Sequence, residues 1–363
     1  MNIRPTIIGA IIGDLLGSYY LKKDASSIDF RNLPDNLKPS LDTLIITEMT
    51  NICRPFKSIE DDNHRANVAV WMPYARRNDP DWKIRGFSKE YTMWCKKFDA
   101  GKHAERYKYS GDPAILLRTI PIAFYYKYPE SVLQKAELLS KVTSSDISEI
   151  NAAKAIALAI HLAYSGSDKE AIVQELSKTF NTLNISAFGL PYNPVEMSIK
   201  AIMDSCDFES AIRNAISYSQ GLFNLATITG ALAAAYYHSI PDDLAYLVRT
   251  KLTYSIQYME IDFFRKLRKC DLIKVKTKPE VCPLCGSRVV DIKYGLVSSV
   301  LKDLLPKPLL LKDQENERHV ILGGCCIMGN DPKWGCVGCE VKFNDVDQPT
   351  FEDLLERAIR AAK

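Results

Sequence analysis

The stretch "SYSQGLFNLATITGALAAAYYHSIPDD", residues 217–243, decides the fold of most of this chain. From Leu222 to Tyr237 it is almost wholly apolar, and Gly230 is followed closely by four alanines. A helix that is apolar on every face is typical of a buried position, and its small residues let neighbouring backbones come close. The stretch therefore predicts a tightly packed central helix. Its entrance, residues 217–224, is neutral and carries no acidic side chain.

The composition is that of an ordinary globular protein. Of the 363 residues, 47% are hydrophobic and 25% are charged, which is enough apolar material for one large domain or for a large and a small one. Disordered and fibrous classes are therefore excluded. The formal net charge of +3 is small for this length and gives no overall field for nucleic acid or an anionic membrane.

The apolar run "PTIIGAIIGDLLGSYYL" near the N-terminus is interpreted as a core helix. It contains Asp14, few cations precede it, and it falls short of the roughly 20 apolar residues that span a bilayer. No small-residue cleavage site follows a charged start. We therefore expect a cytoplasmic protein that makes no membrane contact.

Helical periodicity continues to about residue 265, because apolar residues recur at spacings of three and four. Asp146 precedes Glu149 by three residues at the start of a helix that ends at Gly166, and Ser167 precedes Glu170 in the same way. Both pairs have the spacing of a capping box. No strand alternation of any length interrupts this pattern, which predicts a single all-α domain.

After residue 270 the pattern changes to β-branched runs, "RVVDIKYGLV" and "RHVILGGCCIM", set between glycines and cysteines. Such runs are typical of strands and turns. We divide the chain into a helical domain, 1–265, a small β-containing module with a basic connector, 266–348, and a C-terminal helix, 349–363. The fold class is therefore mainly α with a small β-containing module.

Two Cys-x-x-Cys pairs with neighbouring glycines lie in this module. Their cysteines are Cys282, Cys285, Cys336 and Cys339. Four thiolates on two tight turns suit tetrahedral Zn²⁺ and leave no open coordination position, which indicates a structural, zinc-ribbon-like site. Cys325 and Cys326 are alternatives, either as a replacement ligand or as buried thiols on a strand.

Four segments of the helical part together resemble the ADP-ribosylglycohydrolase family. They are "GAIIGDLLGSYY" from residue 9, "SLDTLIITEM" from residue 40, "SGDPAILLRTIPIAF" from residue 110, and the stretch quoted first. The resemblance covers about residues 5–250. It implies an all-α fold and hydrolysis of the bond between ADP-ribose and an acceptor, with two divalent metals held in a cleft between helices.

The positions that would hold these metals depart from the family pattern. The Thr-Asp-Asp-Thr motif corresponds here to Ser40, Leu41, Asp42 and Thr43. The Gly-Gly-Asp-x-Asp-Thr motif corresponds to Ser219, Gln220, Gly221, Leu222, Phe223 and Asn224, so both of its aspartates are replaced. Leu21 stands where a further acidic residue is expected, and Asp112, Pro113 and Ala114 stand where the family has Gly-Asn-Gly ahead of Arg118.

The resemblance therefore leaves Ser40, Asp42 and Asn224 as vestigial cleft positions. A pair of hard cations requires several converging carboxylates, so we expect structural Zn²⁺ but neither Mg²⁺ nor Mn²⁺. Asp42 has a second interpretation as an ordinary first-turn carboxylate. Asp14, if buried, must be hydrogen-bonded, and we expect a structural role for it.

Three functions follow as alternatives. The first is a non-catalytic protein that binds an ADP-ribose-like ligand or a protein partner. The second is an active ADP-ribosyl hydrolase with a metal site rebuilt on Asp42. The third is a nucleic-acid-associated protein that uses the zinc module and the basic connector. The cations of that connector are Arg265, Lys266, Arg268, Lys269, Lys274, Lys276 and Lys278.

Overall fold

The computed structural model describes residues 6–20, 28–53, 59–75, 89–97, 114–180, 193–219, 224–268, 272–280, 288–294, 320–324, 331–336 and 342–345. The chain divides into two compact units, one formed by Ile3–Phe263 and the other by Phe264–Lys363 together with Met1–Asn2. The predicted C-terminal helix, 349–363, lies outside the described residues.

The regular secondary structure described in the first unit is all helical, as the sequence predicts. Its helices, of which the last continues beyond the unit, are α1 Ile8–Tyr20, α2 Leu41–Met49, α3 Ile59–Ala75, α4 Lys89–Lys97, α5 Ala114–Leu117, α6 Ile120–Tyr125, α7 Pro129–Thr143, α8 Ile147–Tyr164, α9 Lys169–Phe180, α10 Pro194–Met203, α11 Phe208–Tyr218, α12 Leu225–Tyr237, α13 Asp242–Thr250 and α14 Tyr254–Arg268. Among the helices in the described ranges, none has both the length and the apolar composition needed to span a bilayer.

Helices α1 and α12 form the centre of this unit and pack backbone against backbone. A Cβ added to Gly9 would lie 2.5 Å from the carbonyl oxygen of Gly230, and a Cβ on Gly13 would overlap the carbonyl oxygen of Ala226. Real Cβ atoms do not approach other atoms so closely, so only glycine fits at these positions. The predicted small-residue helix is therefore confirmed, and its close partner is the apolar N-terminal helix.

The helix starts near residues 146 and 168 differ in detail from the capping boxes predicted above. The Asp146 carboxylate accepts from the backbone N–H of Ser148 at 2.7 Å, whereas Glu149 accepts from the Ser144 hydroxyl at 2.5 Å. At α9 the cap is Asp168, which accepts from the N–H of Ala171 at 2.7 Å. Aspartate is as good a cap as serine, and here it shifts the helix start by one residue.

The turn between these two helices confirms the predicted stop. Gly166 has a φ of +94°, which is in the left-handed region that favours glycine after a helix.

The second unit contains a five-stranded sheet in the order β1-β5-β4-β2-β3. Its strands are β1 Leu272–Val275, β2 Val289–Tyr294, β3 Val320–Gly324, β4 Trp334–Cys336 and β5 Lys342–Asp345. β2 and β3 confirm the two predicted strand runs. Parallel pairs join β1 to β5 and β2 to β3, whereas β4 is antiparallel to both of its neighbours.

The basic connector is partly secondary structure, which the sequence analysis missed. Residues 265–268 belong to α14, and residues 272–275 form β1 at an edge of the sheet. Lysine is common on edge strands because its charge discourages further pairing. Lys278, which follows β1, forms an exposed ion pair with Asp291 at 3.2 Å.

Candidate functional site

The first turn of α2 is fixed by a buried carboxylate from α1. The Asp14 Oδ2 atom accepts from the backbone N–H of Ser40 at 2.9 Å, the N–H of Thr43 at 3.3 Å and the Thr43 hydroxyl at 2.6 Å. Burial raises the pKa of Asp14, and these hydrogen bonds oppose the shift. Asp14 thus satisfies amides that the helix itself leaves unpaired, and this is the hydrogen bonding that its burial requires.

Ser40 and Asp42 occupy the same helix start. Ser40 is the N-cap of α2, where its hydroxyl accepts from the N–H of Asp42 at 3.1 Å. The half-buried Asp42 carboxylate accepts in turn from the hydroxyl of Thr227, in the first turn of α12, at 3.0 Å. The sequence-predicted cleft residue Asp42 is therefore a direct link between α2 and α12.

The electrostatic environment of Asp42 favours its protonated form. Burial is the main cause, the negative charge of Asp14 adds to it, and the hydrogen bond from Thr227 opposes both, with the result that the pKa of Asp42 is raised to about 8. Near pH 7 a carboxyl with such a pKa is mostly neutral.

The start of α12 is neutral where the structure describes it. Asn224 occupies the N-cap position and is buried, and its side chain makes no capping hydrogen bond to the helix. Ser219 is also buried, and its hydroxyl donates to the carbonyl of Ile216 at 2.8 Å. Residues 220–223 of the motif lie outside the described residues.

Thr227 is the functional-site residue that the sequence analysis missed. It lies three residues after Asn224, in the first turn of α12, where a short polar side chain is close to the helix start. The available signal in the sequence was a polar threonine in an otherwise apolar first turn. Its partner Asp42 is 185 positions away in the chain, so local pattern gave no means of pairing them.

The remaining predicted positions lie in the helical core, in the sheet, or outside the described residues. Arg118 is buried and donates to the Thr143 hydroxyl at 2.8 Å. Leu21, Asp112 and Pro113 lie outside the described residues, as do Cys282, Cys285, Cys325, Cys326 and Cys339. Cys336 is buried at the end of β4. Within the described ranges, no group of three or more histidine, cysteine, aspartate or glutamate side chains is placed to hold a metal ion.

Comparison with known proteins identifies the helical part of the chain. The family model described as ADP-ribosylglycohydrolase matches residues 2–267. One similar solved structure is an "ADP-ribosylglycohydrolase-related protein complex"; it is 18% identical, with 72% of this chain and 95% of that chain covered and a TM-score of 0.49. No curated protein matches the sequence significantly. The family match spans most of the chain, and this protein belongs to the ADP-ribosylglycohydrolase family.

Proposed function

We propose that this protein binds an ADP-ribose-like ligand without hydrolysing it, because the two-metal site of its family is degraded. The observation that carries the proposal is the hydrogen bond between Asp42 and Thr227. Asp42 is the one carboxylate left in the two metal-binding motifs, and this hydrogen bond uses it to join α2 to α12. Family membership supports the choice of ligand class.

The chemistry of the donor set supports the loss of the metals. Magnesium takes near-octahedral oxygen ligands, and a pair of such ions requires several ionised carboxylates. The motif positions of this chain offer the Asp42 carboxyl, the Ser40 and Thr43 hydroxyls and the Asn224 amide. Only one of these groups is a carboxylate, so these residues do not fit a two-metal centre, which requires several.

One observation favours the second candidate, an active hydrolase with a rebuilt metal site. Burial is the main cause of the raised pKa of Asp42, and the nearby charge of Asp14 adds to it; a divalent cation between the two carboxyls would relieve that repulsion. This candidate predicts that Mg²⁺ or Mn²⁺ binds at Asp42 and that an ADP-ribosylated substrate is turned over.

Calorimetry and a turnover assay separate the two candidates. We expect ADP-ribose to bind equally well with Mg²⁺ and with EDTA, and we expect no release of ADP-ribose from an ADP-ribosylated protein. The matched variants are Asp42→Asn, at the site, and Asp207→Asn, which changes an exposed N-cap aspartate of α11 to an equally good cap. Turnover that requires a divalent cation and is lost only in Asp42→Asn would establish the hydrolase.

An absence of heat with ADP-ribose and related nucleotides would leave a protein partner as the ligand. The nucleic-acid alternative has its own readout, because binding through the basic connector weakens as salt rises. A mobility shift with DNA or RNA that disappears at raised salt would support this alternative over the ADP-ribose ligand.

A further inference from the structure

We propose that the sheet-containing unit is held together by one structural Zn²⁺ bound to the thiolates of Cys282, Cys285, Cys336 and Cys339. The site is separate from the ligand site proposed above and does not depend on it. The spacing of the cysteines in the sequence supports this site, as do the places where the described strands begin and end.

The described residues on either side of the first cysteine pair meet at one point. The backbone N–H of Val289, the first residue of β2, donates to the carbonyl of Glu280 at 3.1 Å. Cys282 and Cys285 lie between these two residues in the chain. The chain therefore enters and leaves this pair at neighbouring described residues, two positions before Cys282 and four positions after Cys285.

The described residues next to the second pair lie at the same end of the sheet. Val289 is the register partner of Cys336 on the antiparallel strand β4, so the start of β2 is beside the end of β4. Strand β5 returns antiparallel to β4 with Lys342 opposite Gly335, and Cys339 is three residues before Lys342. The topology therefore brings the described residues that flank both Cys-x-x-Cys segments to one end of the sheet: Glu280 and Val289 for the first, Cys336 and Lys342 for the second.

This end of the sheet also has the surroundings that a thiolate site requires. Cys336 is fully buried, and Val289 beside it is 3% exposed. A zinc ion with four thiolates carries a net charge of −2, and the cationic residues Arg288 and Lys342 stand at the strand ends that flank it. Four sulfur ligands at this spacing close the coordination sphere, so the ion has a structural role.

Among the strand side chains that the structure describes, Val289, Val290, Ile292, Cys336 and Phe343 are buried and apolar. A structural metal at this end of the sheet would add folding free energy to that of their packing.

Metal analysis of the full-length protein, purified under reducing conditions, tests the proposal. We expect about one zinc per chain, and tetrahedral ligand-field bands with thiolate-to-metal charge transfer after exchange with Co²⁺. The Cys336→Ser variant should fall to about zero zinc after dialysis against a chelator. The control Cys206→Ser, at an exposed cysteine of the helical unit, should keep its zinc.

The cobalt spectrum is measured on the unmodified chain, so it decides the question even if Cys336→Ser fails to fold. Purified protein without zinc and without a tetrahedral cobalt spectrum overturns the proposal, as does zinc retention in Cys336→Ser. Loss of zinc in Cys325→Ser or Cys326→Ser would also overturn it, because the ligand set would then be different. Reduction-sensitive disulfides in both Cys-x-x-Cys pairs would be a fourth contradicting result.

Discussion

Replacing Gly230 by alanine tests the close approach of α1 and α12. In an isolated helix the change would stabilise by about 1 kcal/mol, since alanine is the better helix former. In this protein the new methyl group would overlap the Gly9 carbonyl oxygen and would lie 3.3 Å from Gly13 Cα. We therefore expect Gly230→Ala to destabilise the protein in spite of its higher helix propensity.

The loss of stability in Gly230→Ala depends on whether the opposing atoms can move away. Overpacking a core costs about 1–3 kcal/mol when side chains can rotate away, but here the opposing atoms belong to the backbone, so α1 must shift as a whole. We take roughly 3–4 kcal/mol for the shift and subtract the gain of about 1 in helix propensity, which leaves about 2–3 kcal/mol. For a unit of this size that lowers Tm by about 5–10 °C.

Urea denaturation followed by far-UV circular dichroism measures this change, since the helices dominate the signal. Gly166→Ala is the control, because its methyl group meets nothing within 4 Å and only the positive φ opposes it, at a cost of about 1 kcal/mol. The double variant with Gly13→Ala should lose less than the sum of the two single losses, because α1 has already moved. A gain of about 1 kcal/mol in Gly230→Ala would refute the close packing.

Three further predictions concern charged side chains. Because the folded-state pKa of Asp42 is raised from 3.8 to about 8, the folded protein binds the extra proton, and its stability should fall as the pH rises between these values. Thermal melts should show about 2 kcal/mol lost from pH 6 to pH 8, and Asp42→Asn should remove this dependence. The Glu260 carboxylate is buried and binds Arg249 at 3.2 Å, so Glu260→Gln should lower the unfolding free energy by about 3–5 kcal/mol in urea titrations. Arg31→Gln breaks more exposed ion pairs and should cost less than about 1 kcal/mol by the same measurement; equal losses in the two variants would contradict the role of burial.

The sequence was sufficient to predict that α12 is a buried helix but not what it packs against. Its apolar pattern with small residues predicts that neighbouring helices pack closely against it. The pattern does not identify which helix is the neighbour. The glycines of α1, Gly9 and Gly13, are spaced by four and so share one helix face. That spacing agrees with the pairing in the structure, yet the same spacing is found in helices with other partners.

The candidate site could be predicted in its residues and only partly in its contacts. Asp42 and Asn224 followed from motif positions, and the burial of Asp14 required hydrogen bonds whose partners, Ser40 and Thr43, appeared only in three dimensions. The bond from Thr227 to Asp42 joins distant parts of the chain, and nothing in local periodicity carries such information. Strand β1 was missed for a different reason, since four residues with a central lysine are too few to show alternation.

The pairing of α1 with α12 has a consequence for biosynthesis. Gly230 is translated about 220 residues after Gly9, which at ribosomal rates corresponds to roughly 10–45 s. Throughout that interval the apolar first helix has emerged without the partner against which it is buried. The nascent chain therefore presents a hydrophobic segment outside the ribosome, and we expect its folding yield to depend on chaperones that shield α1 until α12 is synthesised.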